Sequence, residues 1–414
     1  QTIPRFRKVS VKMKFSVFCC IVVLFTWLAS ASFAAPMLAP GDRMVFLGDS
    51  ITEQRLYTRF VMDYVAMRYP DAKISFRNAG WGGDTSPGGL RRLQRDVLSL
   101  NPTVVSICFG MNDAGYGKFN QETYDRYIQG MKGLVSELKK AGVKVVLLTP
   151  GCIDHDRNEG LKGYNDTLAR FAQGVEELAR KERVPVYNIH TLMLDVQTKL
   201  KSDDPEFTMI PDSVHPNPAG HIPMAYGLIK ALGCTDQASG LEINASDSTF
   251  TPDRCKVSNL KITDDSITFT RTDSSLPMYL PDEVQPVLKY LPFTQELNRY
   301  PFKVTGIKPG DWKLTVQGIE VGTFSAEELA SGVDLSTYPG PWQELGKELD
   351  RLTWNQENLY FIRWREVGLG PFSDDAKSIL QPIKDNFDKT ISDWEDSRIK
   401  LVTKNRNWKW SLTR

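Results

Sequence analysis

Four short stretches of the chain contain side chains that could carry out acyl transfer together. A serine hydroxyl is a weak nucleophile until a base takes its proton, and histidine is the usual base near neutral pH. Ser50 follows the apolar run 44–47 and His215 precedes a proline. Taken alone, Ser50 in such a turn favours a helix N-cap over a nucleophile, so the other stretches must decide between the two interpretations. The stretches are residues 48–50 (GDS), 78–85 (NAGWGGDT), 109–113 (FGMND) and 212–216 (DSVHP).

The fourth stretch has the spacing of a base and its orienting carboxylate. Asp212 precedes His215 by three residues, so one turn can hold both and let the carboxylate stabilise the charged imidazole. Pro216 favours an extended conformation at His215, which stiffens the loop.

The second and third stretches offer donors for a developing oxyanion. Gly83 can bring its backbone N–H close because it has no side chain, and the Asn112 carboxamide is another donor. The backbone N–H of Ser50, at the start of a predicted helix, is a third.

The elements that must position these residues alternate between short apolar strands and amphipathic helices. This alternation predicts a parallel sheet with helices on both faces. The carboxyl ends of parallel strands share one rim, where ligands bind, and the first three stretches each follow a strand. The predicted strands are 44–48, 73–77, 103–109, 143–149 and 184–189, with helices near 54–69, 86–99, 121–141, 161–182 and 218–232.

The four stretches resemble blocks I, II, III and V of the SGNH (GDSL-type) hydrolase superfamily, in order and spacing, over roughly residues 42–233. Ile51 stands where the family's name motif has leucine, a mild departure. The resemblance implies a flavodoxin-like three-layer α/β/α domain and a serine hydrolase that needs no cofactor and no metal. It implies Ser50 as nucleophile, His215 as base, Asp212 as its partner, and Ser50, Gly83 and Asn112 as the oxyanion hole.

Other motifs are given structural interpretations. Asp49 is interpreted as a turn-fixing acceptor, His221 as structural and His155 as a solvated loop residue, while His190 has no evident partner. No GxSxG elbow is present, which argues against the α/β-hydrolase family. The tryptophans after residue 340 are interpreted as core residues rather than a carbohydrate-stacking surface.

Composition divides the chain into five segments. Residues 1–35 combine basic residues, an apolar run and small residues, which predicts a secretory signal peptide rather than a permanent membrane anchor. Residues 37–235 form the predicted catalytic domain, 236–252 a polar linker, 253–323 a small antiparallel β module and 324–414 a mainly helical region. Within the module, Pro309-Gly310-Asp311 predicts a hairpin between strands at 302–307 and 312–316.

Charge and cysteine content limit the classes of partner. The 414-residue chain has a formal net charge of +1, and the predicted signal peptide contains only basic charges. Its removal would therefore leave the mature chain with a net negative charge, and no nucleic-acid-binding face is indicated. No CxxC pair indicates a zinc site. Export permits disulfides, and Cys234 and Cys255 could pair.

The sequence therefore predicts a secreted or periplasmic serine esterase. Its expected substrates are small-molecule or polysaccharide esters that carry O-acetyl or other short acyl groups. Their hydrolysis is expected to proceed through an acyl-enzyme. One alternative is a carbohydrate- or envelope-binding protein with a vestigial site. Another is a lipid-directed (lyso)phospholipase or thioesterase.

Overall fold

The computed structural model of the chain describes residues 37–234 and 237–414. The predicted signal peptide lies outside the described residues. Within the described ranges, no helix combines the length and the apolar character that crossing a membrane requires.

The first half of the chain is built on one parallel sheet in the order β2-β1-β3-β4-β5. The helices α3, α4 and α5 contact one another in sequence on one side, while α2, α6 and α7 pack together on the other. This confirms the predicted α/β fold with a doubly covered sheet. The strands are β1 Arg43–Gly48, β2 Ser75–Gly80, β3 Val104–Cys108, β4 Lys144–Leu148 and β5 Val186–Tyr187. The helices are α1 Ser50–Glu53, α2 Leu56–Arg68, α3 Ser86–Asp96, α4 Gln121–Lys140, α5 Tyr164–Glu182, α6 Ile189–Asp203 and α7 Pro218–Ala231.

The helix α6 was not predicted from the sequence. The strand prediction at 184–189 runs into it, but the observed strand β5 has only two residues. The Asn188 side chain accepts a hydrogen bond from the Thr191 N–H at 3.0 Å and caps the helix. The Asn188 cap therefore ends β5, whereas the apolar pattern of the sequence alone predicts that the strand continues to residue 189.

The second half contains two further sheets, in the orders β13-β10-β6-β7 and β12-β11-β14-β9-β8. Every neighbouring pair in them is antiparallel except β6 with β10. The strands are β6 Gly240–Asn244, β7 Thr249–Asp253, β8 Cys255–Thr263, β9 Ser266–Asp273, β10 Pro301–Thr305, β11 Asp311–Val316, β12 Ile319–Ser325, β13 Val333–Asp334 and β14 Asn407–Thr413. The helices are α8 Gln285–Leu288, α9 Ala326–Ser331, α10 Pro341–Phe361 and α11 Asp374–Lys404, and a π-helical turn, Ile362–Gly368, follows α10.

The hairpin prediction around Pro309-Gly310-Asp311 is wrong. The strands β10 and β11 flank this turn but belong to different sheets: β10 pairs with β6 and β13, and β11 pairs with β12 and β14. Turn residues specify a reversal of the chain, whereas the choice of strand partner depends on contacts distant in sequence.

Two other segments also differ from the sequence interpretation. The predicted linker contains β6 and most of β7. The predicted helical region ends in β14, which lies between β11 and β9 inside a sheet.

No disulfide joins Cys234 and Cys255 in the described part of the chain. The Cys255 thiol instead donates to the Gly240 carbonyl at 3.2 Å, and the buried Cys234 sulfur lies 4.0 Å from the Leu232 carbonyl oxygen. The suggested pairing is therefore not made.

The strand β14 supplies a large part of the core of the second half. Trp410 is buried, and its ring centroid lies 5.5 Å from that of Phe302, 5.7 Å from that of Phe269 and 5.9 Å from that of Trp342. The last strand of the chain therefore packs against β9, β10 and α10, which all lie far before it in the sequence.

Replacing Trp410 with alanine should lower the free energy of unfolding by about 3–5 kcal/mol, because it leaves a cavity among these aromatic rings. Lys409→Ala, on the exposed opposite face of the same strand, is the matched control and should change stability little. Thermal unfolding of both variants tests this, and equal melting temperatures would contradict the assigned role of β14.

Candidate active site

The three loops that follow β1, β2 and β3 leave the sheet at one level. Gly48, the last residue of β1, lies opposite Gly80 of β2 and Cys108 of β3 in the parallel register. The predicted nucleophile follows the first of these positions by two residues, at the start of α1. The strand ends therefore bring the first three sequence stretches to one rim, as parallel strands do.

His215 lies in hydrogen-bond contact with both Ser50 and Asp212. The Ser50 Oγ is 2.9 Å from His215 Nε2, and His215 Nδ1 is 2.7 Å from Asp212 Oδ2. An ionised carboxylate can only accept, so Nδ1 carries the proton and Nε2 presents its lone pair to the serine hydroxyl. This is the geometry that a general base needs to take the serine proton.

The Asp212 carboxylate also organises the loop that carries the histidine. Its Oδ1 accepts the backbone N–H groups of His215 at 2.6 Å and Val214 at 3.0 Å. Partial burial opposes ionisation, but hydrogen bonds from the backbone and ring of His215 and from Val214 hold the pKa of Asp212 below its ordinary value. Asp212 is therefore an anion throughout the neutral range.

Asn112 contacts the loop that carries Gly83 through the Asp84 carbonyl. Gly83 has φ +71°, in the left-handed region that favours glycine, and it is exposed. The Asn112 carboxamide is held at both ends: Nδ2 donates to the Asp84 carbonyl at 2.9 Å, and Oδ1 accepts from the Tyr116 hydroxyl at 2.7 Å. One of the two Nδ2 protons remains free to reach a substrate oxygen.

Arg92, which sequence reasoning missed, fixes the loop that carries Gly83. Its buried guanidinium donates to Asp84 Oδ2 at 2.7 Å, to the Ala79 carbonyl at 2.8 Å and to the Gly48 carbonyl at 3.0 Å. It thus ties the end of β1 to the loop after β2. Its position in α3, with no motif around it, gave no sequence signal.

A second buried network fixes the histidine loop from below. His221 is fully buried; its Nδ1 accepts the Tyr57 N–H at 3.2 Å and its Nε2 lies 3.0 Å from Gln54 Oε1. Burial lowers the pKa of His221 to about 3, so the ring is neutral and Nε2–H donates to Gln54. Gln54 in turn donates to the Pro216 carbonyl at 3.2 Å. His221 is structural, and its neighbour Gln54 went unnoticed in the sequence.

The remaining two histidines have other partners. His155 is about half exposed, with Asp156 at 3.4 Å. His190 is buried and has a partner that the sequence did not indicate: its Nδ1 lies 2.9 Å from the Gly151 carbonyl. Among the residues that the structure describes, no group of histidine, cysteine and carboxylate side chains could hold a metal ion.

The family model and the two relatives named here are all described as acylhydrolases or esterases. Residues 46–221 match the model of the GDSL-like lipase/acylhydrolase family. The acetylxylan esterase of Geobacillus stearothermophilus is 25% identical over 222 residues, which cover 47% of this chain and 96% of that protein. The isoamyl acetate-hydrolyzing esterase of Saccharomyces cerevisiae is 24% identical over 163 residues, which cover 35% of this chain and 68% of that protein.

One solved structure is similar over nearly the whole chain. It is a gut microbial diltiazem-metabolizing enzyme, 26% identical, with a TM-score of 0.82, covering 91% of this chain and 98% of that one. The likeness therefore extends beyond the matched family segment to the sheets and helices of the second half.

Asp49, directly before Ser50, generates a pH prediction. Burial and the nearby carboxylates of Asp113 and Asp84 raise its pKa to about 7, although its Oδ1 accepts the Ile51 N–H at 3.0 Å. Between about pH 4 and pH 7 the folded protein holds a proton that the unfolded chain has lost, so stability falls as pH rises through this window.

The isosteric change Asp49→Asn removes this titration. The variant should melt at nearly the wild-type temperature at pH 5 and several degrees above it at pH 8, where wild type must bury an anion. Asp125→Asn, at an exposed position of α4, is the control and should not change the pH dependence of melting. If the melting temperatures of wild type and Asp49→Asn changed equally between pH 5 and pH 8, the assigned cost of burying the Asp49 anion would be refuted.

Proposed function

Because residues 46–221 match the model of the GDSL-like lipase/acylhydrolase family, we propose that this serine hydrolase is a secreted or periplasmic esterase of short acyl esters, chiefly O-acetyl groups on carbohydrates. The observation that carries the proposal is the 2.9 Å contact between Ser50 Oγ and a histidine ring whose other nitrogen faces Asp212.

Hydrolysis would proceed in two steps through a covalent intermediate. Ser50 Oγ attacks the ester carbonyl carbon while its proton passes to His215 Nε2, and Asp212 stabilises the imidazolium. The imidazolium gives that proton to the leaving alcohol oxygen as the carbon–oxygen bond breaks, and the acyl group stays on Ser50. A water molecule then loses a proton to Nε2 and attacks the acyl carbon. The carboxylic acid leaves, and Ser50 regains its proton.

The negative charge on the carbonyl oxygen would be held by three donors. They are the backbone N–H groups of Ser50 and Gly83 and the free Nδ2 proton of Asn112. The Asn112 carboxamide needs no reorganisation during the reaction, because Asp84 and Tyr116 already fix its plane.

The openness of the site supports a substrate group on a larger molecule. The side chains of Asp212 and His215 are 56% and 37% exposed, and Gly83 is exposed. An acetyl group on a polysaccharide can reach such a site, whereas a long acyl chain gains most from a buried apolar channel. The similarity to an acetylxylan esterase and to an acetate-hydrolyzing esterase supports the same acyl group. Export rests on the signal-peptide pattern of residues 1–35.

A substrate panel tests this function. Acetylated xylan, chromogenic acetate, butyrate and octanoate esters, diltiazem and a lysophospholipid are each incubated with the purified protein, with Ser50→Ala as the blank. Acetate release from acetylated xylan, and preference for acetate among the chromogenic esters, would support the proposal. Preference for the lysophospholipid or octanoate would favour a lipid-directed enzyme, and no turnover of any ester would leave only a binding protein.

Asn112→Ala should lower kcat by about 10²–10³ and leave KM nearly unchanged, because its donor acts mainly on charge in the transition state. The matched control is Tyr116→Phe, which releases Asn112 Oδ1 but keeps the Nδ2 donor, so its loss should be clearly smaller. Steady-state kinetics on both variants check this. Equal losses would show that Asn112 matters only as part of the loop.

A further inference from the structure

The π-helical turn Ile362–Gly368 reaches the loop that carries Gly83. The Arg365 guanidinium carbon lies 3.6 Å from the centroid of the Trp81 ring, a face-on stacking contact. Arg365 Nη1 also donates to Glu53 Oε1 at 2.6 Å. One side chain from the second half therefore contacts two elements of the candidate active site.

Both partners of Arg365 lie close to the reacting atoms along the chain. Glu53 ends α1, three residues after Ser50, and Trp81 precedes Gly83 by two residues. The other oxygen of the same carboxylate, Glu53 Oε2, lies so close to Gly82 that a β-carbon there would come within 2.8 Å of it. The carboxylate therefore fills the gap between α1, which begins at Ser50, and the loop that carries Gly83, here called the glycine loop.

The environment of Arg365 differs from that of an ordinary surface ion pair. The side chains of Arg365 and Glu53 are only 18% and 22% exposed. Three aromatic rings surround the guanidinium, with Trp364 at 5.4 Å and Phe361 at 5.5 Å in addition to Trp81. Partly desolvated cation–π contacts and ion pairs are worth more than exposed ones, so this side chain is held in one place.

The location within the fold also supports a functional role. The family match ends at residue 221, so it includes Glu53 and Trp81 but not Arg365. π-helical turns are rare and occur frequently at functional sites. In this turn Arg363 faces α11, where it pairs with Asp388 at 2.7 Å and 2.8 Å, while Arg365 faces the rim of the parallel sheet.

We propose that Arg365 is a positioning residue for the esterase reaction. By bridging Glu53 and Trp81 it holds α1 and the glycine loop at a fixed separation, so that the Gly83 N–H stays aimed at the oxyanion. The second half of the chain is then a working part of the active site, because its π-helical turn completes the support of the oxyanion hole. This inference rests on the proposed esterase function.

The test compares Arg365→Ala with Arg363→Ala, a loss of the same side chain two residues away in the same turn. Arg365→Ala should lower kcat on a chromogenic acetate ester by roughly 10–100-fold, less than or close to the loss of a whole oxyanion donor, with KM within about twofold. Arg363→Ala should retain wild-type kcat, and the melting temperatures of the two variants should be similar.

Two more variants keep the test decisive if Arg365→Ala melts early. Glu53→Gln removes the charge of the partner without changing its size, and it should lower kcat in the same direction. Combined with Arg365→Ala it should add little, because both changes break one bridge. Arg365→Lys should recover only part of kcat, since an ammonium cannot stack on the Trp81 ring as a planar guanidinium does.

The outcomes separate this inference from the proposed function. An inactive wild-type protein would reject the esterase proposal itself. An active wild type with Arg365→Ala and Arg363→Ala equally impaired would reject the positioning role, as would a loss confined to KM or full additivity of Glu53→Gln and Arg365→Ala.

Discussion

The parallel register of β1 with its two neighbours is the constraint on which the candidate site depends. It sets Gly48, Gly80 and Cys108 at the same level, so the three loops that follow begin side by side. Shifting one strand by a single residue would move its loop by about 3.3 Å, more than a hydrogen bond tolerates. At Gly80 a β-carbon would come within 2.2 Å of the Glu53 backbone nitrogen, so only glycine lets α1 settle against β2.

Buried polar contacts then join the two halves into one body behind this rim. The hydroxyl of Thr353 in α10 donates to the buried Asp63 carboxylate of α2 at 2.5 Å, and Arg68 of α2 donates to the Leu297 carbonyl at 2.5 Å. Both contacts satisfy polar groups that packing has removed from water, so losing one partner while the halves stay packed would leave a buried polar group without its hydrogen bond. Arg365 extends the same interface to the glycine loop, where it contacts Trp81.

The sequence predicts the parallel sheet and the candidate residues better than it predicts the second half. The sheet signal is local: apolar runs end at loops whose residue types, such as Ser50 or Asn112, suit acyl transfer. The pairing of β10 and β11 with different sheets, and the insertion of β14, depend on contacts between distant residues that no local pattern encodes. Arg92 and Arg365 were missed for the same reason, since their roles arise from packing and neither lies in a motif.

Covalent labelling tests most directly whether Ser50 is the nucleophile. The purified protein is treated with a phosphonofluoridate that reacts with activated serines, and the adduct is located by mass spectrometry of peptides while ester hydrolysis is followed in parallel. Ser50 Oγ lies 2.9 Å from His215 Nε2, which is within reach to act as its base, so we expect one label per chain, on Ser50, and loss of activity in proportion to labelling. Loss of activity with the label on another residue, or full activity with Ser50 labelled, would contradict it.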